Sequence, residues 1–228
     1  MDFRKKAKFI LAYKPGILIV PECEHPDKLL FAPTISKPTD YLWFGKNKHT
    51  GLGIFSYSDF KFKVQENHNQ DIQLIIPITA YNETQEFNLF AIWANNPKDK
   101  DGPYVEQIWK AIHFYKDAIK DANTILVGDF NSNTIWDKKH RDSNHSNVVQ
   151  VLAEKGIYST YHNHFKDEQG AEEQPTLYMY KNKDKAYHID YCFVSTDLLE
   201  KVSAVEVGQY DDWIKHSDHV PVIIDIEI

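Results

Sequence analysis

The sequence predicts an α+β protein, a four-layer α/β/β/α sandwich in which two packed mixed sheets are flanked by helices. Three observations carry that expectation. Strand-like runs are numerous and of both kinds, continuous apolar and alternating. The few helical patterns are interspersed and do not alternate strand by strand, as a βαβ array requires. No linker, repeat or low-complexity tract divides the 228 residues, so a single domain over 1–228 is expected.

The elements follow in order. Phe3, Ala7, Ile10 and Leu11 recur at helical spacing until Pro15-Gly16 stops the pattern, which predicts an amphipathic helix feeding directly into a strand. The strand is 17–20, a branched apolar run too short for a helix, with Glu22 just beyond its end. A polar, Pro-containing loop is expected through "FAPTISKPTDY", followed by strands in "GLGIFSY", "IQLIIPIT" and "FNLFAIWA". Val105, Ile108, Trp109, Ile112 and Ile119 then share one helical stripe, with Asp and Pro upstream as initiators. After it come the strand "TILV", a shorter helix in "SNVVQVLAEKG" closed by Gly156, and late strands in "TLYMY", "YHIDYCFVS", "SAVEVG" and "VPVIIDIEI".

Composition excludes several classes. With 42% hydrophobic and 14% aromatic residues the chain is a folded globular protein with an aromatic-rich core. A formal charge of −7 argues against holding polyanions by bulk electrostatics, although a local basic patch or bound cation reverses the field where it matters. Cys23 and Cys192 are too few for a disulfide framework and lack zinc-site spacing. No run suits a signal peptide or a membrane span, so a cytoplasmic, monomeric protein with no membrane partner is expected.

Polar groups collect at strand ends: Glu22 after "ILIVP", Asp129 and Asn131 after "TILVG", Asp190 inside "HIDY", and Asp218-His219 in "KHSDHVPV". A sheet edge is where a rigid scaffold presents accessible side chains, and so many carboxylates there need a cation or protons. Oxygen ligands with little sulfur favour magnesium, with manganese the alternative, and magnesium takes one or two protein carboxylates plus water and phosphate oxygens. Taken singly, each signal is equally a turn: Gly-Asp-Phe-Asn with Asp and Asn bonding nearby backbone, "SDHVP" leading into a last strand, Glu22 a solvated strand end.

Together and in this order, "GDFN", "IDY" followed by "VS", and "SDH-x-P", with Glu22 after an early strand, resemble the endonuclease/exonuclease/phosphatase superfamily, which has the pancreatic-deoxyribonuclease fold. The resemblance spans the whole chain. It implies a metal-dependent phosphoester hydrolase in which Glu22 and Asp218 are the carboxylates at the metal and Asp129 orients or deprotonates the attacking water. It further implies that Asn131 contacts the scissile phosphate, that His219 stabilises its developing charge, and that Asp190 orients His219. In-line attack on a phosphoester needs these parts whatever the family: a placed water, neutralised non-bridging oxygens and help for the leaving oxygen.

Two departures qualify it. Relatives begin with a strand whose Asn supports the metal site, whereas "MDFRKK" resembles the helix after that strand; the expectation is an internal start at Met1 and a strand upstream. In "LFAIWANNP", relatives place a His or Tyr near the phosphate where this chain has Trp93, which offers only an N–H donor. Asn96 matches an amide of DNA-repair relatives and equally a loop Asn before Pro97. Thr176 lies where relatives place a Thr before an aromatic strand, which backbone packing explains equally well, and the "YHNHF" histidines are assigned to a surface loop.

The shared core does not identify the substrate. A nuclease acting on DNA or RNA is the first expectation. Its support is Lys181, Lys183 and Lys185 near one motif, Lys138, Lys139 and Arg141 near another, and Tyr161, Tyr178, Tyr180 and Trp136 as bases for stacking. Ordinary solvated lysines and core aromatics explain the same residues. A phosphatase acting on a phosphorylated small molecule or nucleotide is the alternative, and an inactive binding module a second.

Overall fold

In the computed structural model, described over residues 3–29, 35–95 and 104–227, thirteen strands and six helices follow one another. They are α1 (Phe3–Ile10), β1 (Ile17–Cys23), β2 (Asp40–Asn47), β3 (Thr50–Ser56), β4 (Lys61–Val64), β5 (Ile75–Tyr81), β6 (Glu86–Trp93), α2 (Val105–Phe114) and β7 (Thr124–Asp129). After these come α3 (His145–Glu154), β8 (Ile157–Ser159), α4 (Thr160–Phe165), β9 (Leu177–Tyr178), β10 (Ala186–Tyr187), β11 (Asp190–Ser195), α5 (Thr196–Leu199), β12 (Val202–Val207), α6 (Tyr210–Trp213) and β13 (Val222–Ile226).

One six-stranded mixed sheet, β4-β5-β6-β7-β11-β8, forms the centre, with β6 and β7 its parallel pair. Its middle strands are apolar on both faces because both faces are covered. Phe90, Ile92, Leu126, Tyr191 and Phe193 pack beneath α2 and α3, while Leu89, Ala91, Ile125, Cys192 and Val194 face the second layer of strands. This is the physical origin of the unbroken runs in "FNLFAIWA" and "TILV". The second layer is β1-β3-β2 and, separately, the hairpin pair β12-β13. The outer face of β1-β3 is capped by Phe3 and Ala7 of α1 against Val20, Cys23 and Phe55. The four layers expected from the sequence are therefore present.

Several elements differ from expectation, each for a visible reason. The polar loop ends at Asp40, where β2 begins; it is an edge strand whose side chains are mostly half-buried or exposed, so its apolar signal is weak. The four-residue β4 is likewise an edge. Helix α2 stops at Phe114, and Ile119 reaches the core from the turn that follows. "TLYMY" supplies only the two-residue β9 before a 3-10 turn with Tyr180 at φ 58°. "YHNHF" is not a loop: it forms most of α4, with Tyr161 fully buried.

Two backbone positions deliver the strand ends. Gly128 sits at φ 139° where β7 runs against β6, and a Cβ there would collide with the Ile92 carbonyl. Beyond it the chain turns through Asn131 at φ 46°, a conformation that Asn tolerates better than most residues. Glu22, at φ 56°, lies in an irregularity of the β1-β3 register between Val20 and Cys23; such a bulge re-aims side chains at a sheet rim.

Gly128→Ala is expected to cost on the order of 2–4 kcal/mol, because the backbone of Ile92 cannot yield as a side chain would. Urea unfolding followed by tryptophan fluorescence measures it, and a cost below half a kcal/mol would show that the two strands part readily.

Candidate functional site

The antiparallel register of β7 and β11 sets Asp129 directly opposite Asp190. By the alternation of each strand, both side chains share the face of Val127 and Cys192, toward the second layer. His219 joins them through a bridge between Leu177 and His219 that ties its segment to β9. Ligand atoms of Asp129, Asp190 and His219 all lie within 4.8 Å of one another.

Hydrogen bonds fix this triad. His219 Nδ1 donates to Asp190 Oδ2 at 2.9 Å, which leaves Nε2 for a substrate. Asn131 donates twice to Asp129, from its backbone N–H to Oδ1 at 2.8 Å and from Nδ2 to Oδ2 at 2.7 Å. The same Nδ2 donates to the Ala94 carbonyl at 2.8 Å, so Asn131 ties Asp129 to the end of β6. Trp93 is the parallel partner of Asp129 and sits half-buried beside it, packed on the core.

The electrostatics follow from crowding. Burial raises the Asp129 carboxyl well above its ordinary range, the charge of Asp190 raises it further, and His219 and the Asn131 N–H only partly oppose this. For His219, burial disfavours the charged imidazole, yet Asp190, Asp129 and Asp218 override it and lift the ring to about 10. His219 is thus imidazolium at neutral pH.

Sequence reasoning gave no role to Lys6 or Ser217, and it weighed Thr176 without making it catalytic. The Ser217 hydroxyl accepts the His219 N–H at 3.1 Å and the Lys6 ammonium at 3.3 Å. Burial lowers the Lys6 pKa, while Glu22 and Asp218 act to hold its charge. Thr176, fully buried, accepts the N–H groups of both Ile189 and Asp190 at 3.0 Å, so it places Asp190 through the backbone. The Lys6–Ser217 contact joins residues 211 apart in the chain, which local pattern does not reveal.

Glu22 and Asp218 stand next to the triad without joining its tightest cluster; their charges act on Lys6 together, Glu22 also on Asp129 and Asp218 also on His219. A divalent cation fits these residues. The donors are carboxylate oxygens, and Asp218 Oδ1 is buried with no hydrogen-bond partner, the condition a cation would relieve. Asn96 lies outside the described residues. Tyr161 and Tyr178, 1% and 8% exposed, belong to the core and present no stacking face, whereas Trp136 and Tyr180 are 41% and 81% exposed.

The loop after Asn131 is pinned from below. Asn133 Nδ2 donates to Glu172 Oε2 and the His188 carbonyl, both at 3.0 Å. Glu172 also accepts from the Gly170 N–H at 3.0 Å and pairs with His162 Nε2 at 3.1 Å. Burial alone would raise its carboxyl, but the bonds from His162, Gly170 and Asn133 hold it at about 2. His145, buried beside this network with Nδ1 on the Ser132 hydroxyl, is pushed down to about 4 by burial.

No family model matches the chain, and no curated protein matches its sequence. Solved structures do. A 3'-5' exonuclease from Neisseria meningitidis is 19% identical with a TM-score of 0.71, covering 100% of this chain and 96% of its own. An AP endonuclease from Archaeoglobus fulgidus is 15% identical with a TM-score of 0.67, covering 100% and 96%. A 3' phosphatase from Neisseria, bound to product DNA hairpin, is 18% identical with a TM-score of 0.66, covering 98% and 93%. The fold is that of the endonuclease/exonuclease/phosphatase proteins, as the motifs suggested.

Both pinning groups make the protein acid-sensitive, in separate windows. His145, with its folded value below the ordinary 6.5, takes its proton first in the unfolded chain, so stability falls as pH drops from 6.5 toward 4. Glu172, depressed from 4.5 to about 2, contributes stability that is complete above 4.5 and is lost as pH falls toward 2. Its share is on the order of 3 kcal/mol. Glu172→Gln is expected to remove about that much at pH 7 and to flatten the lower limb, in urea unfolding measured from pH 7 to 3. An unchanged lower limb would refute the assignment.

Proposed function

We propose that the protein is a divalent-metal-dependent nuclease that hydrolyses DNA or RNA phosphodiesters with an activated water. The observation that carries this reading is the Asp129-Asp190-His219 cluster, with its raised carboxyl and its carboxylate-held imidazolium, beside the partnerless buried oxygen of Asp218.

Asp129, held by both donors of Asn131, orients a water and takes its proton; a carboxylate whose pKa burial has raised is a better base than an exposed one. His219, fixed by Asp190, turns Nε2 to the phosphate and neutralises charge developing on its oxygens. Asn131 spends both amide hydrogens on the protein, so its part is to position Asp129; contact with the phosphate would need the amide turned over. Glu22 and Asp218 would hold magnesium, or manganese in its place, and the ion when bound supplies charge neutralisation at the phosphate oxygens. Trp93 borders the water site and offers bulk and an N–H.

Nucleic acid is favoured over a small phosphomonoester by what surrounds the site. The β9-β10 hairpin adjoins His219 and carries exposed Tyr180 with the Lys185 ammonium 5.4 Å from its ring centre. Trp136 leans on Tyr187 at 5.0 Å nearby. Exposed rings beside cations suit stacked bases and a phosphate backbone.

The test is hydrolysis of abasic duplex DNA, plasmid, single-stranded RNA and p-nitrophenyl phosphate, with magnesium or EDTA. Magnesium-dependent cleavage of a polynucleotide is expected, with Asp129→Asn and His219→Ala each lowering kcat by about 10²–10⁴ while circular dichroism stays unchanged. Hydrolysis confined to the monoester would transfer the enzyme to the phosphatases, and full activity in Asp129→Asn would refute the mechanism.

A further inference from the structure

Helix α1 buries Phe3 and Ala7 on its inner stripe, and Lys6, one turn from Phe3 and one from Ile10, shares that side. Arg4, Lys5 and Lys8 of the same helix are exposed, whereas Lys6 is half-buried. A long charged side chain held there loses more rotamer freedom than an apolar residue in its place would. Lys6 lines the same cavity as Glu22, Asp129, Asp190 and His219. There it donates to the Ser217 hydroxyl at 3.3 Å, and the same oxygen accepts the His219 N–H at 3.1 Å. That is the only hydrogen bond of Lys6 among the described residues, and it forms no ion pair with them; Glu22 and Asp218 act on its charge from farther away. An ammonium has three N–H donors, and the Ser217 oxygen takes one.

We propose that Lys6 is a ligand of the substrate's phosphate, donating to a non-bridging oxygen alongside His219. The proposal rests on the phosphoester reading of the site and adds to it a phosphate ligand that none of the motifs contains. The competing role is that of a counter-ion to the two carboxylates, and the geometry speaks against it. A lysine serving Glu22 or Asp218 would close on one of them, and this one closes on a neutral hydroxyl. A tetrahedral oxyanion set between the ammonium and the imidazolium takes up the remaining N–H donors without displacing Ser217. Ser217 meanwhile fixes both cations from one oxygen, His219 through its backbone and Lys6 through its side chain, so the two are placed relative to each other before any phosphate arrives.

Phosphate binding tests this apart from turnover. Inorganic phosphate, in EDTA and in magnesium, and a fluorescein-labelled single-stranded oligodeoxynucleotide in EDTA are titrated into the wild-type chain, Lys6→Met and Lys6→Arg. Lys6→Met is expected to weaken both ligands by about 10-fold or more, and Lys6→Arg, which keeps the charge, by about 3-fold or less. A wild type that binds no phosphate under either condition, or equal phosphate affinity in wild type and Lys6→Met, overturns the proposal and leaves Lys6 a counter-ion. A loss confined to inorganic phosphate supports the Lys6 assignment while counting against a polynucleotide substrate. Should Lys6→Met fail to fold, acylation of the wild type by acetic anhydride, read by mass spectrometry, decides. Saturating phosphate is expected to slow modification of Lys6 by about 5-fold or more relative to the exposed Lys8 and Lys14, and unchanged rates overturn the assignment.

Discussion

Everything at the candidate site follows from one electrostatic conflict, two carboxylates placed directly opposite on adjacent strands. Like charges in that position repel, and Asp129 is buried where water is scarce, with Asp190 half-buried beside it. The structure resolves the conflict by giving each a different environment. Asp190 receives a cationic partner in His219. Asp129 is left to the Asn131 donors and is driven toward its protonated form. Two identical side chains thereby acquire different parts, one bound to the His219 ring that it orients and the other a carboxyl whose pKa burial and its neighbour raise.

The conflict also explains how much surrounding structure is devoted to rigidity. Gly128 allows β7 to press against β6 up to the residue before Asp129. Thr176 secures the backbone of Asp190, Ser217 that of His219, and the Glu172 network the loop beyond Asn131. If any of these relaxed, the carboxylates would separate into solvent, and the raised carboxyl and the bound imidazolium would both revert toward ordinary values.

What was legible in the sequence divides along the same physical line. The central strands announce themselves because burial on both faces leaves no polar position, and the ordered motifs placed Asp129, Asp190 and His219 in one site before any geometry was available. Edge strands β2 and β4 escaped because exposure dilutes apolar pattern, and α4 escaped because His162 turns to a buried carboxylate that lies ten residues away in the chain. The contact of Lys6 with Ser217 was illegible for a stronger reason: the two are 211 residues apart, and a lone Lys carries no periodic signal.

The remaining tension is that a chain of net charge −7 is assigned a polyanionic substrate. Net charge is a poor guide at this range. At physiological ionic strength the field of exposed charges decays within about 8 Å, so a phosphate at the site senses its immediate surroundings and little of the far surface. Those surroundings include an imidazolium at His219 and the lysines of the β9-β10 hairpin. There Lys183 lies over the Tyr210 ring and Lys185 over Tyr180, which keeps both ammonium groups near the rim. The carboxylates that would repel the substrate are the same ones a divalent cation would neutralise, so a bound ion would turn the rim from anion-repelling to anion-accepting. On this account affinity for a polynucleotide depends on the cation more steeply than on the protein's own basic residues.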